Sequence, residues 1–370
     1  MLNVSLMTNA SPNQIPSLDG IRAVAVLIVF VSHLHIVNLI PGGFGVTLFF
    51  FLSGYLITTL LAREFDKTGQ IAFGHFYLRR LLRLSPPLLI TLALAIGLHF
   101  AGLVEGQVDP GTVLSQIFYY YNYWSLHFGP TSGGGPVAYG QGDTIPGLGL
   151  LWSLSIEEHF YLIWPAIFVL VARKSLTLTH ITIFIVVVLL WRTFRFLVIG
   201  SDPWTIYSST DTRIDMLLFG CLLALLSWRR DLRQIAPQGV VKYLIMAGAC
   251  LAILASFAIR DELFRSSLRF TIQGLALMPL FYYAVTNAGD LIFRPLNWGP
   301  VRRIGAYSYT IYLSHHVIIL LLLQMGIARL GELKMALLSG AITLIYAALM
   351  HRFVEQPCHE LRRRIGSAPA

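Results

Sequence analysis

Ile21-Arg22-Ala23-Val24-Ala25-Val26-Leu27-Ile28-Val29-Phe30-Val31-Ser32-His33 is the stretch on which the reading of this chain turns. It is apolar enough for a membrane helix, yet it carries an arginine and a histidine eleven positions apart. At about 100° per residue, eleven steps close three turns with roughly 20° to spare, so the two side chains share one face about 16 Å apart. An ionisable group inside a membrane helix is costly and marks a function by default. One such group near an end and another further in suit a site that grips an anion at the membrane edge and does chemistry deeper.

The rest of the 370-residue chain has the same character: 56% hydrophobic, 12% charged, mean hydropathy +0.68. A soluble domain carries about twice that charge fraction. Apolar runs of spanning length occur near 21–40, 43–62, 78–101, 150–171, 180–199, 212–228, 241–259, 268–287, 305–329 and 334–353. The fold class is therefore all-α, a polytopic membrane protein of about ten transmembrane helices. The net charge of +9 does not point to nucleic acid. Its arginines and lysines cluster between spans, at 63–83, 173–174, 229–233, 294–303 and 352–364, as the positive-inside rule requires. These clusters share one side only if a shorter run at 113–124 does not cross, which places both termini in the cytoplasm. The opposite face then carries 102–149, 200–211 and 260–267, the last an imperfect fit because it holds Arg260 and Arg265. The division expected is a short tail over 1–17, a membrane domain over 18–357 with an outer loop at 102–149, and a basic tail over 358–370. Residues 1–16 lack a basic n-region, so no cleaved signal peptide is expected. Cys221, Cys250 and Cys358 show no paired spacing, and there is no C-x-x-C, H-E-x-x-H or Walker loop, so no metal is expected.

The third span opens Phe76-Tyr77-Leu78-Arg79-Arg80-Leu81-Leu82-Arg83-Leu84-Ser85-Pro86-Pro87. Arg80 and Arg83, three apart, meet on one helix face, and two convergent guanidiniums make a phosphate clamp. The alternative is topological: arginines here obey the positive-inside rule and nothing more. An arginine, ten residues and a histidine (Arg22 to His33), then Arg-x-x-Arg (Arg80, Arg83), resembles the signature of the acyltransferase-3 family of integral-membrane O-acyltransferases. Further blocks agree: Leu18-Asp19-Gly20-Ile21-Arg22-Ala23, the run from Gly42 to Tyr55, Trp152-Ser153-Leu154-Ser155-Ile156-Glu157-Glu158-His159-Phe160-Tyr161, Thr212-Arg213-Ile214-Asp215, the run from Tyr307 to His316, and Phe353-Val354-Glu355-Gln356-Pro357. The resemblance covers roughly 18–357. Some members carry an SGNH hydrolase-like domain at the C-terminus; this chain resembles the stand-alone members, which modify polysaccharides, lipo-oligosaccharides or glycosylated metabolites.

The resemblance implies an acyl-CoA donor, acetyl-CoA being expected, taken from the cytoplasm at the plasma (inner) membrane of a bacterium. Arg22, Arg80 and Arg83 are the residues expected to hold its phosphates. His33 is expected to act as general base on an acceptor hydroxyl, since an imidazole of ordinary pKa about 6.5 is neutral and basic near neutral pH. A covalent acyl-histidine is the competing mechanism. Glu157 and Glu158, adjacent and so about 100° apart on their helix, are expected at the outer part of their span, Glu158 as a second catalytic carboxylate and Glu157 on the acceptor. Arg192, Arg213 and Asp215 are the remaining candidates for an acceptor-binding vestibule, against the alternative of an internal ion-pair network fixing helix packing. His315 and His316, mid-span, either orient the acyl group or acceptor or are satisfied interior histidines. The partners expected are a glycan or glycolipid acceptor and membrane lipids, with a homo-oligomer or a separate acyltransferase also open. Two other classes fit ten spans with buried ionisable groups: a proton-coupled transporter or flippase, and a subunit passing acyl groups across the membrane to another enzyme.

Overall fold

Hydropathy of the length and period just described folds into helices, because backbone polar groups inside a bilayer must be satisfied within their own segment. The computed structural model describes residues 15–34, 41–128, 145–229 and 232–367. The chain begins with α1 (Leu18–His33), α2 (Gly42–Thr68) and α3 (Phe73–Phe100), followed by the short α4 (Pro110–Ile117) and α5 (Tyr121–His127). The long α6 (Trp152–Ala172) and α7 (Leu178–Phe194) come next, then the short α8 (Pro203–Ser208) and α9 (Thr210–Arg213) leading into α10 (Asp215–Arg229). After α11 (Leu232–Ile235) run α12 (Gly239–Ala258), α13 (Glu262–Ser266), α14 (Leu268–Thr286), α15 (Gly299–Gln324), α16 (Glu332–Met350) and α17 (Gln356–Ser367). The described residues hold no strand, and the protein is an all-α polytopic membrane protein.

Each of the ten apolar runs forms a helix among its described residues; the end of the first, 35–40, lies outside them. Among the described residues, eight helices are long and apolar enough to cross a membrane. The other two runs give shorter helices: α1 has 16 residues and α10 has 15, against the ~20 that a full crossing takes. The run at 113–124 breaks into α4 and α5, of 8 and 7 residues, around Tyr119 at φ 57°. Asp109 accepts from the Thr112 N–H at 2.8 Å to start α4, and the Trp124 indole donates to Thr112 Oγ1 at 3.0 Å, folding the two pieces together. Neither piece is long enough to cross. Residues 358–367 belong to α17, which packs against α3 and is thus part of the fold and not a loose basic tail. The termini at 1–14 and 368–370 and the stretch 129–144 of the outer loop lie outside the described residues.

At the centre, α2 packs against α10 and α1, and α1 packs in turn against α15. These contacts run backbone to backbone. A Cβ on Gly54 would overlap the Leu217 carbonyl, and one on Gly220 would overlap the Phe51 carbonyl. Gly305 is closed off in the same way by the Asp19 carbonyl of α1. Small residues at such seams let helices approach where lipid supplies no hydrophobic drive. The result sets two ends of the bundle apart: Arg22 and the start of α3 at one, His33 and the starts of α2, α10 and α14 at the other.

Candidate active site

At the first end, Arg22, Arg80 and Arg83 line a single cavity of about 100 Å³ between α1, α2, α3, α6 and α15. Arg22 pairs with Asp19 one turn away at 3.0 Å. The Arg80 guanidinium lies 3.3 Å from the centre of the Tyr161 ring and 3.8 Å from Glu158 Oε1. Among the described residues no carboxylate pairs with Arg83. Glu157 faces the same cavity and is held by two hydroxyls, Ser53 donating at 3.2 Å and Tyr161 at 3.1 Å. The adjacent glutamates therefore do point to different neighbours, one to α2 and one to α3. Their depth differs from expectation, however. They meet the arginines instead of joining an acceptor vestibule with Arg192 and Asp215, because Arg80 and Arg83 lie two to three turns inside α3 and so reach well down α6. Beside them Tyr119, outside any span, lies 3.3 Å from Ser85 of α3; burial pushes its hydroxyl up to about 12, so it stays protonated.

The cavity's deeper wall is built by Phe49, Ser153 and Tyr312. Tyr312 donates to the Leu150 carbonyl at 2.8 Å and shares a 2.6 Å hydrogen bond with Ser153. Its ring centre is 6.0 Å from that of His315, so one layer of side chain separates the cavity from a cluster of three histidines. His33 ends α1 there, its ring 5.0 Å from His315 and 4.9 Å from His316. His33 Nδ1 is 2.8 Å from the Val29 carbonyl. His315 Nδ1 is 3.0 and 2.8 Å from the Ile311 and Tyr312 carbonyls. A ring nitrogen against a carbonyl must carry the hydrogen, so in both neutral rings the lone pair falls on Nε2. The 3.3 Å contact between His315 Nε2 and His33 Nδ1 is then a donation from His33 to His315. Among the described residues no group of three His, Cys, Asp or Glu is arranged to hold a metal.

The remaining candidates sit apart from the cavity. Arg192 and Asp215 are both 0% exposed and face each other, with Arg192 Nη1 3.1 Å from each carboxylate oxygen and 2.6 Å from the Thr212 carbonyl. Of the two alternatives for this pair, the structure favours the internal one: it ties α7 to α10. Arg195 pairs with Asp211 at 2.9 Å in the same region. Arg213 is also fully buried, but it lies over the Phe270 ring at 3.8 Å and, among the described residues, donates to Thr47 at 3.3 Å. Tyr161, four residues beyond Glu157, was legible as a same-face neighbour from its spacing alone, yet only the fold reveals that it carries Arg80. Arg362 of α17 lies within electrostatic reach of Arg80, a position that a sequence ending in several arginines does not single out.

With this geometry in hand, the comparisons with known proteins can be weighed. Residues 15–352 match the model of an acyltransferase domain. The peptidoglycan O-acetyltransferase OatA of Listeria monocytogenes is 33% identical over 367 residues, covering 95% of this chain and 56% of the relative. A putative O-acetyltransferase of Staphylococcus aureus is 32% identical over 360 residues, 93% of this chain and 57% of its own length. A putative peptidoglycan O-acetyltransferase of Bacillus subtilis, YrhL, is 31% identical over 361 residues, 93% and 54% respectively. The chain thus spans about half the length of the curated relatives it matches. No solved structure matches it.

Proposed function

The chain belongs to the acyltransferase family, and from that premise we propose that it is a membrane O-acetyltransferase moving acetyl from cytoplasmic acetyl-CoA to a sugar hydroxyl of a bacterial cell-wall polysaccharide. The observation that carries this reading is the placement of Arg22, Arg80 and Arg83 around one cavity whose far wall, at Tyr312, packs on His315 and through it on His33. Guanidiniums match phosphate geometry, and Arg83 has no competing carboxylate partner among the described residues. The rise of about 16 Å between Arg22 and His33 is on the scale of a pantetheine arm. A proton-coupled transporter gains nothing from such a clamp.

The chemistry follows from the tautomer. His33 Nε2 takes the proton of the acceptor hydroxyl as its oxygen attacks the thioester carbonyl carbon. The carbon–sulfur bond breaks, CoA leaves as its thiolate, and the proton on His33 neutralises that thiolate. His315 and the Val29 carbonyl act as positioning groups by holding the hydrogen of His33 on Nδ1. Glu158, expected to be a second catalytic carboxylate, acts here by holding Arg80 in place, and Glu157 keeps the cavity polar against Ser53 and Tyr161.

The test is transfer of radiolabelled acetyl from acetyl-CoA into a glycan fraction in membrane vesicles containing wild type, His33→Ala or Arg83→Ala. Loss of a general base lowers the rate by about 10²–10⁴-fold, whereas loss of Arg83 raises the KM for acetyl-CoA about tenfold or more. Equal label from all three proteins at matched expression would remove the proposed site.

A further inference from the structure

The end of the bundle opposite the CoA clamp collects hydrogen-bond donors that no described residue satisfies. Arg213 Nε and Nη1, Arg269 Nε and Trp204 Nε1 are all buried without a hydrogen-bond partner. They surround one aromatic box. The Arg213 guanidinium lies 3.8 Å from the Phe270 ring and 4.8 Å from the Tyr207 ring. Tyr207 packs 5.6 Å from Trp204 and 4.7 Å from Trp152. Arg269 precedes Phe270 in the chain and lies within electrostatic range of Tyr207 and Arg213.

Charge points the same way. Arg192, Arg213 and Arg269 converge here, and Asp215 is the carboxylate among them, already engaged by Arg192. The other acids nearby are committed elsewhere: Asp211 to Arg195 and to the Trp191 indole, Asp202 to the N–H groups that start α8, and Asp261 to the start of α13. A buried guanidinium without a counter-charge or hydrogen bonds is expensive. Arg260 and Arg265 in the neighbouring 260–267 loop are balanced by Asp261 and Glu262, so the unbalanced charge is that of the buried arginines themselves.

We propose that this end of the bundle binds an oxyanion carried by the acceptor glycan, through Arg213, Arg269 and the Trp204 N–H, with the half-buried Tyr207 ring as the platform for the sugar. The proposal rests on the acetyltransferase reading for its choice of ligand and narrows the acceptor from sugars in general to acidic ones. The geometry also connects the subsite to His33. A Cβ on Gly42 would meet Ser32, the neighbour of His33, and a Cβ on Gly43 would meet the Tyr207 hydroxyl. Two adjacent glycines at the start of α2 thus approach the end of α1 on one side and the aromatic box on the other. A sugar seated on Tyr207 by its anion lies beside the base that deprotonates its hydroxyl.

The chemistry of an oxyanion has two sources, a sugar carboxylate or a phosphate on the glycan. Calorimetry on the full chain in lipid nanodiscs separates them, using an N-acetylmuramyl disaccharide with its free carboxylate, the methyl ester of the same disaccharide, and a neutral disaccharide with and without a 1-phosphate. The expected result is binding of at least one anionic probe, about tenfold or more tighter than its neutral counterpart. That preference should be lost in Arg269→Gln and in Arg213→Gln. Arg269 is half-exposed at a helix start, so its variant keeps the test valid if Arg213→Gln fails to fold. Equal affinity for anionic and neutral probes, no binding of any, or unchanged preference in Arg269→Gln overturns the proposal. Acetyl-CoA binding to the same wild-type nanodiscs is the separate control: its absence would sink the acetyltransferase reading while leaving the anion result standing.

Discussion

His33 makes both of its described polar contacts through Nδ1, to Val29 and to His315. A ring held in that way has its reactive nitrogen chosen by its neighbours and not by its own equilibrium. His315→Ala leaves the Val29 carbonyl to keep the tautomer but removes the group that orients the ring, so it should lower kcat. The KM for acetyl-CoA should stay unchanged. His315→Gln, which restores an acceptor oxygen, should recover part of the loss. A His315→Ala enzyme with unaltered kcat, or a glutamine variant no better than alanine, would show that His315 only fills space. At this scale the sequence carried a good deal. The eleven-residue interval puts Arg22 and His33 on one face of α1, and the three-residue interval puts Arg80 and Arg83 on the face of α3 that lines the cavity. It could not carry the partner of Glu158, because helical phase fixes direction but not the depth at which two separate helices meet. It could not choose between vestibule and ion pair for Arg192 and Asp215, because both need the same residue types on the same faces.

Helix seams are set by glycines at positions no hydropathy profile distinguishes. Gly54 and Gly220 face each other's partner backbones across α2 and α10, whereas Gly248 of α12 has open space around its would-be side chain. Gly54→Val should cost about 1–3 kcal/mol or more by overpacking, read as a lower Tm in detergent. Gly248→Ala should be neutral or raise stability by about 0.4–1 kcal/mol, because it restricts only the unfolded chain. A Gly54→Val protein as stable as wild type would mean that α2 and α10 slide freely past one another. The elements themselves were legible: ten apolar runs became ten helices, and the doubtful run at 113–124 became two short ones that do not cross. What was hidden was the break at Tyr119, whose left-handed backbone no glycine or asparagine announces.

Across the whole molecule, the arginine cavity and the donor-rich aromatic box occupy opposite ends of the bundle, and His33 lies at the end that holds the box. A donor offered from one side and an acceptor from the other is the arrangement this implies. Inverted vesicles, with the arginine end outward, should consume added acetyl-CoA, and sealed right-side-out vesicles should not until they are permeabilised. Equal rates from both kinds of sealed vesicle would contradict that polarity. Among the ten helices formed by the apolar runs, α1 with 16 residues and α10 with 15 are the two shortest. At 1.5 Å per residue each rises only about 24 Å or less, against a hydrocarbon slab of about 30 Å. Lipid must thin, or water must dip inward, where these helices stop short. If the chain is the acetyltransferase proposed, the barrier its acetyl group would face is thinner than the surrounding bilayer, and activity reconstituted in lipids of increasing acyl length should fall as the membrane around α1 thickens.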